Sequence, residues 1–316
     1  MKIAIVGSGL AGVTLAEALA KSARHDITLM TAETRGYYSR PRLSHGLALS
    51  DDAAAKIVLK SYDALPVRVL AGTQVKRIDR ERQQVVLPGE KPVDYEVLVL
   101  ATGSAARIPP PLLAREGFFT LNSLDDLVVL RQRRTELAGR RPRWAVIGGG
   151  LIGCEVASDL AKAGDAVTVF HREGRLLELQ LTERQSQALH RHFAALGIEV
   201  RYNQDLKDLP APFDGVIVST GFAPRVALAK EAGLATARGI VVNEYLRTGD
   251  PAIYAVGDVA EVGPRLYAFV SPIRSQALWL AEHLEGRAGA AWVPPAFKPV
   301  IKIHGFKPQP EVSCPA

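Results

Sequence analysis

The sequence predicts an α/β fold made of two similar units, each organised around a parallel sheet, and three observations carry this prediction. A nine-residue segment, Ala4-Ile5-Val6-Gly7-Ser8-Gly9-Leu10-Ala11-Gly12, returns as Ala145-Val146-Ile147-Gly148-Gly149-Gly150-Leu151-Ile152-Gly153, an offset of 148 − 7 = 141 residues. That offset is too long for a solenoid repeat and suits two similar domains. In both copies the apolar run before the first glycine reads as a strand buried on both faces. Behind the third glycine, Val13, Ala16 and Leu19 in one copy, and Val156, Ala157 and Leu160 in the other, keep helical spacing. A second apolar strand follows each helix, Asp26–Met30 and Ala166–Phe170, so each copy is a complete βαβ unit.

The remaining elements follow from periodicity and punctuation. Val67–Leu70, Gln84–Leu87 and Val97–Leu100 read as strands between the copies, and Ile108-Pro109-Pro110-Pro111 reads as a link. A helix is expected over Leu124–Leu137, with Ser123 as N-cap and Asp126 at the third position to answer it. Another opens after Thr182, with Gln185 completing a capping box, and stops before Gly197. Strands Gly215–Ser219 and Ile253–Val256 come next. The last helix is expected over Ile273–Leu284, with Ser271 as N-cap and Pro272 as its first residue. From Gly286 the chain is rich in Pro, Gly and Ala, and a strand near Val300–Ile303 is the one regular element expected there.

Composition sets the outer bounds. The 316 residues suit two domains of roughly 150 residues each, and 47% apolar content supports real cores rather than disorder. The two cysteines, Cys154 and Cys314, exclude a disulfide-rich scaffold and a four-ligand zinc site, and no metal site is expected. No apolar run approaches the roughly 18 residues of a membrane helix, and the N-terminus lacks a signal peptide's pattern, so a cytoplasmic protein is expected. The net charge of +6 comes from Lys and Arg spread along the chain, densest at Arg131–Arg143. A spread excess suits a field that attracts an acidic protein partner better than a nucleic-acid surface.

Each GxGxxG has a physical task. The first glycine makes a tight turn, the second lets backbone approach a pyrophosphate, and the third lets helix pack on strand. The following helix offers unsatisfied N–H groups and a positive dipole end to phosphate. The expected fold is therefore α/β with two Rossmann-like (three-layer ββα/βα) dinucleotide-binding domains. An acid near the end of the second strand should hold the adenosine ribose. Glu33 stands 33 − 12 = 21 residues after Gly12. In the second copy His171 and Arg172 stand at the strand's end, with Arg175 following, and these cations favour a 2′-phosphate, hence NADPH. The alternative is that Glu173 turns inward and holds an NADH ribose.

Ala101-Thr102-Gly103 and, near the end, Thr248 with Ile253-Tyr254-Ala255-Val256-Gly257-Asp258 join the glycine loops. These four motifs resemble the flavoprotein reductases with two dinucleotide domains, the FAD-dependent pyridine nucleotide-disulfide oxidoreductases, over residues 1 to about 285. The resemblance implies FAD on the first unit, at Gly7, Gly9, Leu10, Ala11, Gly12, Glu33, Ala101, Thr102, Gly103, Gly257, Asp258 and Pro272. It implies NAD(P)H on the second, at Gly148, Gly150, Leu151, Ile152, Gly153, His171, Arg172, Arg175 and Gly221. It also implies that the second domain is inserted in the first, with boundaries at 1–108 and 226–286 for the first domain, 109–225 for the second, and a short, truncated C-terminal segment at 287–316. Tyr38-Ser39-Arg40-Pro41-Arg42-Leu43-Ser44-His45 and Gly150-Leu151-Ile152-Gly153-Cys154-Glu155 look most like rubredoxin and flavorubredoxin reductases and the ferredoxin reductases of oxygenase systems. That likeness implies Arg40 and Pro41 along the FAD pyrophosphate and His45 facing the flavin. It implies Glu155 by the flavin's nitrogen edge and the nicotinamide. Taken alone, Glu155 also reads as a carboxylate favoured by its helix dipole.

No cysteine precedes Cys154, and Cys154 reads as small apolar packing, so no thiol relay is available. The implied reaction passes hydride from NAD(P)H to FAD, then single electrons to a small acidic iron protein, a rubredoxin or ferredoxin. The helix at Pro272 is expected to meet charge developing on the flavin. Relatives carry a β-hairpin where Val200 to Asp214 reads as a short loop, and a C-terminal domain that Val312-Ser313-Cys314-Pro315-Ala316 resembles only at its start. The acceptor surface could therefore be completed by another subunit. The alternative function is an FAD-binding subunit that turns over only within a larger complex.

Overall fold

The computed structural model describes residues 1–47, 56–113, 117–204 and 212–308. In chain order, β1 (Lys2–Val6) leads through the first glycine loop into α1 (Leu10–Ala20) and β2 (Asp26–Met30). β3 (Arg68–Leu70) and β4 (Val97–Leu100) follow, separated by a small antiparallel meander from Arg77 to Asp94. β5 (Phe118–Phe119), α2 (Leu124–Glu136) and β6 (Arg143–Ile147) lead to the second glycine loop. After it come α3 (Leu151–Lys162), β7 (Ala166–Phe170), α4 (Glu183–Ala195), β8 (Glu199–Arg201) and β9 (Gly215–Val218). β10 (Ile253–Ala255) and α5 (Val270–Leu284) close the chain's regular structure.

Two compact units result. The first comprises Met1–Ser39, Val58–Ala105 and Ala223–Lys298; the second comprises Arg40–Ile57, Ala106–Phe222 and Pro299–Ala316. Each is built on a five-stranded parallel sheet, ordered β10-β4-β1-β2-β3 in the first and β5-β9-β6-β7-β8 in the second. The central strands β1 and β6 bury every residue but their first, as strands covered on both faces must. The first unit's core runs through Ile3, Ile5, Leu15, Leu19, Leu29, Leu98 and Leu100. Each such side chain contributes about 1.5–3 kcal/mol by leaving water. In the second unit Trp144 is fully buried, and its indole N–H donates to Asp165 Oδ2 at 3.0 Å. Arg134 also grips Asp165, so the one buried acid serves two donors.

The expected caps of α2 and α4 form complete capping boxes, Ser123 with Asp126 and Thr182 with Gln185. Two expectations are corrected. The last helix starts at Val270 with Phe269 as N-cap, so Ser271 lies inside it and makes no cap. Pro272 sits at the third helical position, where its missing N–H would have had no intrahelical acceptor anyway. Residues Val300–Ile303 run without forming a strand. The described residues among 40–57, and those of the tail from Pro299, pack with the second unit. There the turn Ser44–Leu47 lies against α3 and α2, and a Cβ on Gly46 would strike Leu127 Cδ2 at 2.5 Å. The expected loop between Val200 and Asp214, apart from its ends, and the terminal Val312–Ala316 with Cys314 lie outside the described residues. Among the described residues no helix is long and apolar enough to cross a membrane.

Candidate functional site

The two glycine loops have the same construction. Gly7 and Gly148 hold φ of +112° and +111°, and a side chain on either would overlap the carbonyl of Ala101 or Ser219. A Cβ on Gly12 or Gly153 would fall 1.9 Å from the carbonyl oxygen of Gly7 or Gly148, which fixes these as helix-on-strand contacts. Gly9 and Gly150 differ: a Cβ there meets nothing within 4 Å. They are the N-caps of α1 and α3, in extended backbone, without a side-chain cap and without an acid in the following turn. Each helix thus leaves its first N–H groups and positive dipole end facing open space at a bare backbone surface. That arrangement fits a diphosphate on each unit.

The residue after the second strand anchors each loop. In the first unit Thr31 Oγ1 accepts from Ser8 Oγ at 2.8 Å, and Ser8 Oγ also bonds Tyr62 Oη. In the second unit His171 Nδ1 accepts from the Gly149 N–H at 3.0 Å, and its Nε2 lies 3.0 Å from the Arg175 carbonyl oxygen. His171 is therefore a buried loop anchor and not an exposed cation at the strand's end. Arg175 donates to the carbonyl oxygens of Leu181 at 2.5 Å and Glu178 at 2.8 Å. Two of the three expected phosphate cations are thereby committed to the protein's own backbone. Arg172 remains exposed, pairing with Glu173 at 2.8 Å. Glu33 follows Met30, the end of β2, by three positions; Glu173 follows Phe170, the end of β7, by the same three. The second copy therefore has its acid where the first has one. Glu33 accepts from Tyr38 Oη at 3.0 Å.

Each central sheet ends in a matching Thr-Gly turn. Thr102 and Gly103 (φ +66°) follow Ala101 in the first unit; Thr220 and Gly221 (φ +100°) follow Ser219 in the second. The Thr102 hydroxyl donates to the Arg225 carbonyl and the Thr220 hydroxyl to that of Arg107. The Gly257–Asp258 turn comes against the first glycine loop, where a Cβ on Gly257 would meet Ala11 Cβ at 3.1 Å. Ser104 Oγ donates to Asp258 at 2.7 Å. Gln276 of α5 accepts the Gly257 N–H at 2.7 Å, while its buried Nε2 has no hydrogen-bond partner among the described residues. Leu10, Ala11, Gly257, Asp258, Ala101 and Pro272 all belong to this first unit, so the residues expected at FAD are collected there apart from Arg40 and Pro41.

Arg40, Pro41 and His45 belong to the second unit. Arg40 donates to the Asn122 carbonyl, and the Pro41 carbonyl accepts from Lys302 Nζ at 2.6 Å. Glu155 stands on α3, buried, and accepts from the Lys302 N–H at 3.2 Å and from its Nζ at 3.4 Å. Burial pushes the Glu155 carboxyl above its ordinary range, with Lys302 and then His45 pulling it back. His45 Nδ1 lies 3.0 Å from both oxygens of Asp159, one turn further along α3. Sequence reading missed Lys302, Asp159 and His304, because they belong to no motif and only the folded tail brings them together. Their spacing from Glu155 along α3 was the one available clue, and it applies to Asp159 alone.

Cys154 is fully buried; its Sγ donates to the Gly149 carbonyl at 3.3 Å, and burial raises its thiol far above the ordinary range. A thiol held protonated in this way is a packing group.

Comparison with known proteins identifies the family. Residues 1–271 match the family described as "Pyridine nucleotide-disulphide oxidoreductase". The chain is 35% identical over 303 residues to the nitric oxide reductase FlRd-NAD(+) reductase of Salmonella gallinarum, covering 90% of this chain and 79% of that one. A ferredoxin reductase from Rhodopseudomonas palustris superposes with a TM-score of 0.85 at 28% identity, covering 93% of this chain and 78% of that one. An NADH:rubredoxin oxidoreductase from Clostridium acetobutylicum gives 0.84 at 27% identity, over 96% of this chain and 80% of that one. The chain belongs to the pyridine nucleotide-disulphide oxidoreductase family, and it is an FAD- and NAD(P)H-dependent oxidoreductase.

Proposed function

We propose that this chain passes electrons from NADH, in preference to NADPH, through FAD to a small acidic iron protein of the rubredoxin or ferredoxin type. The observation that carries the reading is the pair of open glycine cradles in a chain whose one described cysteine is sealed from chemistry. A disulfide substrate needs a thiol relay, and Cys154 cannot supply one. The relatives named above act on flavorubredoxin, ferredoxin and rubredoxin, which supports an iron protein as acceptor. The net charge of +6 supports an acidic one.

FAD, when bound, accepts a hydride from the reduced nicotinamide and releases its electrons singly. The chain's residues do the rest. Gly9, Leu10, Ala11 and Gly12 present N–H groups to the FAD diphosphate, and Glu33 holds its ribose. Asp258, with Ala101–Gly103, holds the ribityl side, and the first turn of α5, from Val270 through Pro272, opposes negative charge on the ring. Gly150, Leu151, Ile152 and Gly153 hold the nicotinamide dinucleotide's diphosphate, Glu173 its adenosine ribose, and Gly221 leaves room beside it. Glu155 orients the nicotinamide.

The test is steady-state reduction of rubredoxin, ferredoxin and flavorubredoxin by the purified, FAD-loaded chain with NADH. At least one should be reduced rapidly, and the rate should fall as salt rises. A chain that reduces ferricyanide yet none of the three, alone or at low salt, contradicts the acceptor assignment.

A further inference from the structure

Asp159 of α3 is 1% exposed at its side chain, and among the described residues its ionic partners are two imidazoles, with no lysine or arginine. A buried carboxylate costs free energy unless a compensating charge or donor set faces it. His45 Nδ1 lies 3.0 Å from both Asp159 oxygens, and His304 Nε2 lies 2.6 Å from Oδ1. The three ligand atoms lie within 4.8 Å of one another. They come from three separate segments of the second unit: the Ser44–Leu47 turn, α3 and the tail.

We propose that His45, Asp159 and His304 form a binding site for a divalent first-row transition ion of the zinc type. Two imidazole nitrogens and one carboxylate oxygen are the donor set such ions take when a fourth position stays open to water. Bonds of about 2.0–2.1 Å in a tetrahedral site put ligand atoms about 3.4 Å apart. The observed separations, from 2.6 Å to at most 4.8 Å, bracket that spacing, so small side-chain rotations suffice. His45 and His304 are each about one-third exposed, at 30% and 33%, which leaves the ion a way in and room for water.

The tail is held in place for this purpose without the ion. The His304 N–H donates to the buried Ser158 Oγ at 3.0 Å, and the His304 carbonyl oxygen accepts from His192 Nε2 at 2.7 Å. These bonds fix the backbone at His304, so its ring is presented to Asp159 in advance. Lys162 Nζ, 3.5 Å from His304 Nδ1, belongs to an exposed residue and can swing away when that nitrogen takes the ring proton. An ion bound here joins the tail and the Ser44–Leu47 turn to α3.

The experiment treats the FAD-containing protein with a chelator, then measures Zn²⁺ by equilibrium dialysis and Co²⁺ by its visible d–d bands. One ion should bind per chain, and Zn²⁺ should raise the melting temperature. Asp159→Asn and His304→Ala should each weaken binding by at least about 100-fold and remove the thermal shift. Flavin content and the melting temperature without zinc establish that each variant folds; if one does not, the other decides. Wild-type protein that binds no zinc, or zinc binding that both folded variants retain, would overturn the proposal.

Discussion

His171 Nδ1 accepts the Gly149 N–H at 3.0 Å, and a Cβ on Gly149 would fall 2.8 Å from the same ring. The two residues are fitted to each other: the ring pins the glycine loop, and the glycine leaves space for the ring. An accepting Nδ1 carries no proton, so the ring is not offering that nitrogen to a phosphate. Glycine at 149 is thus explained by its neighbour and not by a ligand.

Nucleotide choice follows from this. With His171 and Arg175 turned onto protein groups and Arg172 paired with Glu173, the proposed reading has Glu173 accept a ribose hydroxyl and repel a 2′-phosphate. The kcat/KM for NADH should exceed that for NADPH by about tenfold or more. Glu173→Gln should lower kcat/KM for NADH and narrow the ratio. Equal values for the two nucleotides in the wild type would contradict the assignment.

The second glycine loop separates binding from folding. Gly150→Ala adds a methyl group to open space and should cost under about 1 kcal/mol of stability, while raising the KM for the nucleotide about tenfold or more. Gly153→Ala drives a methyl into the Gly148 carbonyl and should cost about 3 kcal/mol or more. Thermal melts alongside KM measurements check both. A Gly150→Ala protein with normal KM would remove the diphosphate from this loop.

Cys154 should be chemically silent. Native protein treated with a thiol alkylating agent should show no label at Cys154 by peptide mass spectrometry, and unfolded protein should show full labelling. Cys154→Ala should keep turnover within about twofold and lose about 1 kcal/mol of stability from the vacated sulfur. Labelling of the native site would reopen thiol chemistry.

Glu155 gives a pH signature. Its carboxyl is raised by burial, so the stability it contributes is complete in acid and is lost as pH rises through the raised value. Glu155→Gln has no such proton. Its stability relative to wild type should therefore improve as pH rises above the ordinary glutamate range. Denaturant melts across that range check it, and a constant difference would contradict the burial effect.

The sequence made much of this legible because the repeated elements obey local rules. Gly12 and Gly153 are fixed by backbone contacts within one βαβ unit, and Ser123 and Thr182 are fixed by caps three residues away. What could not be read depends on distant packing. His171 looks cationic beside Arg172 until the Gly149 N–H claims it. His45, Asp159 and His304 have no common spacing, and the tail residue Lys302 meets Glu155 across 147 positions of sequence. The start of α5 was misplaced because Ser271 and Pro272 form a good local helix signal that Phe269 pre-empts.

Anaerobic stopped-flow mixing tests the central claim most directly. NADH mixed with the FAD-loaded chain should bleach the flavin's visible band, and a second mixing with oxidised rubredoxin or ferredoxin should restore it as the iron protein is reduced. A flavin that NADH cannot bleach, or that stays bleached before every such iron protein, would contradict the account.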